Sequence, residues 1–212
     1  MPYLCICAVL YFTTWYLTVG FSPESSRSGA ASFVIWIYEF LYTSISQFIA
    51  AYAPNAVFAA LANPLLVGFL VSFCGILVPY KQIVAFWRYW IYWLNPTTYL
   101  VGSMLTFTIY GTEVDCAEGE LSYFDLPANM SCAEYLRPYL DSSGANLLNP
   151  DASVGCRVCP YTTGSDYLRT INITGWYQGW RDAAITIIFI LSSYGLVYLF
   201  MALRTKSSKK TE

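Results

Sequence analysis

The chain has 212 residues, of which 57% are hydrophobic, 18% aromatic and only 11% charged. Soluble domains carry roughly 25% charged residues, so this balance points to a membrane protein. It contains no histidine, which rules out Ser-His-Asp and Cys-His catalysis within it, and its net charge of −2 comes without the basic stripe that nucleic acid requires.

Residues 3–21 carry no charge and predict a first membrane-spanning helix of about 28 Å. No Lys or Arg precedes the apolar run, so it lacks the basic flank of a cleaved signal peptide. A polar loop follows over 22–29. Residues 33–53 predict a second span, whose one charge is Glu39. About two turns inside, Glu39 reads either as a polar contact lining a transport path or as a side chain reaching the outer headgroups. Residues 57–78 predict a third span of about 33 Å, with Asn63-Pro64 as its expected kink.

Residues 83–110 are long enough to cross but read otherwise. Arg88 falls well inside the run, six of the nine residues from Phe86 to Leu94 are aromatic, and Pro96 removes a helical hydrogen bond at its centre. A charge at bilayer depth costs roughly 3 kcal/mol. Trp and Tyr at this density belong at a water–lipid interface. The expectation is an interfacial helix, a break at Asn95-Pro96 and a short re-entrant helix. That gives four crossings rather than five, in an all-α membrane protein.

Residues 111–181 hold nine acidic and four basic residues among Gly, Pro, Asn and Ser, and predict a water-exposed loop. Residues 183–203 predict the last span, about 32 Å long, and Arg204, Lys206, Lys209 and Lys210 follow it. By the positive-inside rule this tail is cytoplasmic, which places the N-terminus in the cytoplasm and 111–181 outside. Two acceptor tripeptides, beginning at Asn129 and Asn172, agree with that side as N-glycosylation sites. So do four cysteines, Cys116, Cys132, Cys156 and Cys159, an even number in an oxidising compartment. Three pairings are open to them, and the nested one, Cys116–Cys159 with Cys132–Cys156, is a guess. A zinc reading of Cys156 and Cys159 lacks a second such pair and any His.

Several runs together resemble one family. They are Phe73-Cys74-Gly75-Ile76-Leu77-Val78-Pro79, Phe86-Trp87-Arg88-Tyr89-Trp90 and Leu94-Asn95-Pro96-Thr97-Thr98-Tyr99-Leu100-Val101. Tyr42-Thr43-Ser44 with Gln47, Leu148-Asn149-Pro150-Asp151-Ala152, Cys156 with Cys159, and Trp180-Arg181-Asp182 continue the match in order. This set is similar to the last part of a fungal pleiotropic-drug-resistance ABC transporter, a full-size member of the G subfamily. The resemblance implies the end of a second ABC-2 type transmembrane domain that exports amphipathic drugs or lipids. It implies partners outside this chain: a first membrane domain and two nucleotide-binding domains that bind ATP and Mg. The phosphate-cradling pattern G-x-x-x-x-G-K-[ST] is absent here. The resemblance also implies that the third span lines the substrate path and that Ile76 and Leu77 form an apolar gate at its end. It places the protein in the plasma membrane.

A second function class fits the same topology: a non-transporting four-span scaffold with a large disulfide-bonded loop. Such loops typically carry a Cys-Cys-Gly triplet, and no two of the four loop cysteines are adjacent. An intramembrane enzyme would need His, a metal-ligand set or paired acids within a span, and the sequence offers none.

Overall fold

In a computed structural model the described residues are 2–21, 24–78, 80–125, 130–143, 145–152 and 154–208. They form two compact units, one of 1–108 with 175–212 and one of 109–174.

The first unit is helical. Helix α1 covers Pro2–Val19 and α2 covers Ser25–Tyr52. Ala30, Val34, Ile37, Leu41, Ile45 and Ile49 recur at helical spacing along one face of α2 and are buried. That face packs mainly on α9, Tyr177–Ser208, through Ala183 and Ile190, while Tyr11 of α1 stacks on Tyr38 of α2 at 6.0 Å. Lipid offers no hydrophobic drive between helices, so small residues such as Ala30 and Ala183 matter by admitting close backbones. Helices α1, α2 and α9 are each long and apolar enough to cross a bilayer.

Helix α3 covers Ala56–Ser72, opened by the Asn55 side chain accepting from the Phe58 N–H at 2.8 Å. The sequence predicts that this span runs to residue 78. It instead stops at Ser72, leaving 17 residues, about 26 Å, against a hydrocarbon core of about 30 Å. Gly75 has φ of +96°, a conformation no helix continues through. Pro64 lies inside the helix, and no residue of α3 is fully buried.

The aromatic segment forms two single-turn helices, α4 (Ala85–Arg88) and α5 (Ile91–Leu94), rather than one interfacial helix. Trp90, at φ −127°, separates them. Helix α6, Pro96–Ile109, follows at once, with Asn95 before it and Pro96 in its first turn, where a missing N–H costs nothing. Fourteen residues give about 21 Å, too short to span. Thr97, Leu100, Ser103, Thr106 and Phe107 of α6 are buried, so protein covers one side of this element as a non-spanning segment requires. Phe107 is fully enclosed between Trp176 at 5.1 Å and Trp180 at 4.9 Å.

The second unit adds a small sheet to the predicted loop. Strands β1 (Ser122–Phe124), β2 (Asn146–Leu147) and β3 (Cys156–Cys159) are antiparallel in the order β1-β3-β2. Helices α7 (Cys132–Ser143) and α8 (Gly164–Thr170) complete it. Disulfides join Cys116 to Cys159 and Cys132 to Cys156, with Cα separations of 5.8 and 5.6 Å. Cys132, Cys156, Val158 and Leu136 make its core. The Asn149 side chain ties the β2–β3 turn, donating to the Gly155 carbonyl at 3.0 Å and accepting from the Arg157 N–H at 2.7 Å.

Candidate functional site

Where α3 ends, three interactions hold the following bend. The Ser72 hydroxyl donates back to the Gly68 carbonyl at 2.7 Å. The buried Asn95 amide donates to the Leu70 carbonyl at 2.6 Å, satisfying one of the groups a helix C-terminus leaves open. Tyr92 sits against Gly75 so closely that a Cβ there would lie 2.9 Å from the ring. Burial pushes the Tyr92 phenol up to about 12, and its ring meets Tyr80 at 4.8 Å. These contacts give Ile76 and Leu77 a fixed place on a bend rather than on the helix.

That place is the edge of a cavity of about 300 Å³. Helix α1 contributes Tyr11, α2 contributes Val34, Ile35, Tyr38 and Tyr42, and the end of α3 contributes Val71. The bend adds Cys74, Ile76 and Leu77, and α6 adds Thr97, Leu100, Val101 and Met104. Ile76 is 40% exposed and Leu77 66%, so both stand at the rim rather than in packing. Tyr38 and Tyr42 pack ring to ring at 4.8 Å. Thr97 is buried, and its hydroxyl makes no hydrogen bond.

The lining carries no charged side chain and few hydroxyls. Apolar walls with sparse, convergent polar groups suit an uncharged or amphipathic molecule held by shape, with a hydroxyl or two fixing its orientation. No cluster of His, Cys, Asp or Glu able to hold a metal ion occurs among the described residues. Nothing in the cavity pairs a nucleophile with a base.

The sequence-predicted residues divide among several places. Ile76 and Leu77 meet at this cavity, whereas Glu39 is half-buried on α2 and is not part of the lining. The four paired cysteines belong to the second unit. Asn172 is exposed with φ of +71°, just past the end of α8. It therefore serves as a left-handed helix terminator, a role Asn fills next after Gly. Asn129 lies outside the described residues. Sequence reasoning missed Asn95, whose side chain reaches a carbonyl 25 positions back, and the tyrosine wall of α1 and α2. An Asn immediately before a Pro that opens a helix is the cap signal that could have found the first.

Helices of membrane length around an apolar cavity, with a disulfide-held unit in the same chain, define a polytopic membrane domain. The ABC-2 type transporter family model matches residues 1–107, and the chain belongs to that family. It is 64% identical over 213 residues to ABC multidrug transporter H of Aspergillus fumigatus, covering all of this chain and 15% of that relative. It is 51% identical over 214 residues to ABC-type transporter cns4 of Cordyceps militaris, again covering 100% and 15%. With the Brefeldin A resistance protein of Schizosaccharomyces pombe it shares 28% over 218 residues, covering 100% and 14%. The chain thus spans about 15% of the length of these curated relatives. It is an integral membrane chain of the ABC-2 type, and its sequence contains no phosphate-cradling G-x-x-x-x-G-K-[ST] motif.

Proposed function

We propose that this chain forms part of the substrate path of an ATP-driven exporter of amphipathic compounds, with Ile76 and Leu77 as an apolar gate. The observation that carries the reading is their position at the rim of the uncharged cavity. Two branched side chains there exclude water from an apolar path, and a passing molecule must displace them. Opening would follow when α3 and α6, joined through Asn95, move with the halves of the transporter. The energy for that movement would come from nucleotide-binding domains outside this chain, which would hold ATP and Mg. The unburied surface of α3 supports a further membrane domain as its partner. The basic residues that follow the apolar run of α9 support cytoplasmic termini and an outward second unit in the plasma membrane.

Leu77→Ala in the intact transporter tests the gate. It removes the more exposed rim side chain without touching the Asn95–Leu70 latch between α3 and α6. Passive leak of an uncharged fluorescent amphiphile through reconstituted vesicles should rise, and export per ATP hydrolysed should fall. Leak and coupling both equal to the unaltered protein would remove the gate assignment.

A further inference from the structure

From Phe73 to Tyr110 the chain carries Lys81 and Arg88 and no carboxylate. Arg88 closes α4, and its guanidinium lies 5.3 Å from the Tyr80 ring centroid and 5.6 Å from that of Tyr89. Its Nε is buried without a hydrogen-bond partner, and among the described residues no ion pair holds it. Arg27 and Arg181 of the same unit differ: each holds a carboxylate at 2.8 Å. A buried guanidinium N–H with no acceptor is costly unless one arrives from elsewhere.

The surroundings indicate what arrives. Phe86, Trp87, Tyr89, Trp90 and Trp93 are all exposed around Arg88, in a chain whose helices are of membrane length. Rings of this kind sit at headgroup level in a bilayer. Arg88 is absent from the lining of the apolar cavity, so a molecule held there does not reach it. An anionic partner at headgroup level that offers two adjacent oxygens and apolar chains beside them is a phosphodiester lipid. The guanidinium fork matches two phosphate oxygens, and the rings match the glycerol and acyl carbons.

We propose that Arg88 is the phosphate-recognising residue of a phospholipid headgroup site, walled by Tyr80 and Tyr89 and rimmed by Trp87 and Trp90. The site rests on the membrane setting of the chain and not on the transport reading, so either can fail alone. A lipid held there would brace the two single-turn helices, which on their own are too short to be stable.

The test uses the intact purified protein in nanodiscs with two photoreactive probes. One is a phosphatidylcholine with a diazirine close to the glycerol; the other is a diacylglycerol carrying the same diazirine and no phosphate. Peptides covering residues 84–94 are then scored for label. The phospholipid should label them well above the diacylglycerol. Arg88→Gln should lower phospholipid labelling about tenfold, the scale of one charge-assisted hydrogen bond. Arg88→Lys should restore part of it, and neither substitution should alter diacylglycerol labelling. Equal labelling of the unaltered protein by both probes would overturn the site even if Arg88→Gln folds poorly. So would displacement of the label by inorganic phosphate, or absence of label because another protein surface covers the face.

Discussion

The side-chain amide of Asn95 donates to the backbone carbonyl of Leu70 at 2.6 Å, joining the end of α3 to the start of α6. Its Oδ1 accepts from the Thr97 N–H at 3.0 Å, so one buried residue bonds to the end of one helix and the start of another. Asn95→Ala should cost about 1–3 kcal/mol, combining an unsatisfied, part-buried carbonyl with a lost cap. Asn95→Asp keeps the acceptor for Thr97 but sets an oxygen against the Leu70 carbonyl, so it should rescue nothing. Thermal unfolding of the purified protein in detergent checks both. An Asp variant as stable as the unaltered protein would show that the bond to Leu70 contributes little.

Gly75→Ala should destabilise the bend by roughly 1–3 kcal/mol, because a Cβ is disfavoured at a φ of +96°. It also meets Tyr92 at 2.9 Å. Tyr92→Leu would remove the ring contact but not the backbone strain. The double variant should therefore recover less than the full loss, as a double-mutant cycle of melting temperatures would reveal.

Phe107→Ala should cost about 3–5 kcal/mol, since the ring is wholly enclosed by Trp176 and Trp180 and its removal leaves a cavity. Gly179 backs the same ring, and a Cβ there would lie 2.8 Å from it. Steady-state protein level and melting temperature are the readouts, and Phe107→Leu should fall between the two.

In the second unit, Asp166 accepts from the backbone N–H and the hydroxyl of Thr163, both at 2.9 Å. Burial alone would raise the Asp166 carboxyl. The two Thr163 bonds, with Arg169 nearby, outweigh it and hold the group below its ordinary value. A depressed carboxylate stabilises the fold above its unfolded pKa, near 4, and that stability is lost as pH falls through the folded value. Hydrogen-exchange protection of α8 amides, corrected for intrinsic exchange, should fall as the pH drops below about 4, and Asp166→Asn should remove the dependence. Cys132→Ser should cost about 2–4 kcal/mol in this unit, because both sulfurs of the Cys132–Cys156 bond are buried.

The spans α1, α2 and α9 are legible as apolar runs, because a bilayer sets their minimum length. The end of α3 is not, because Gly75 and the Asn95 amide terminate it, and the second acts from 25 positions away. The sheet of the second unit escapes sequence reading since its strands are two to four residues long, below any detectable alternation. The cavity is assembled from four helices and the bend after α3, far apart in sequence, so no single local pattern marks it. Ile76 and Leu77 drew attention through a family resemblance, and apolar packing alone would not have singled them out.

On the proposed function, the exported molecule crosses the cavity beside Ile76 and Leu77. Val101→Trp in the intact transporter would fill it from α6, away from the Asn95 latch. Energy-dependent efflux of an uncharged fluorescent amphiphile should then drop to the level of cells lacking the transporter, with surface abundance unchanged. Undiminished efflux at normal abundance would contradict the account.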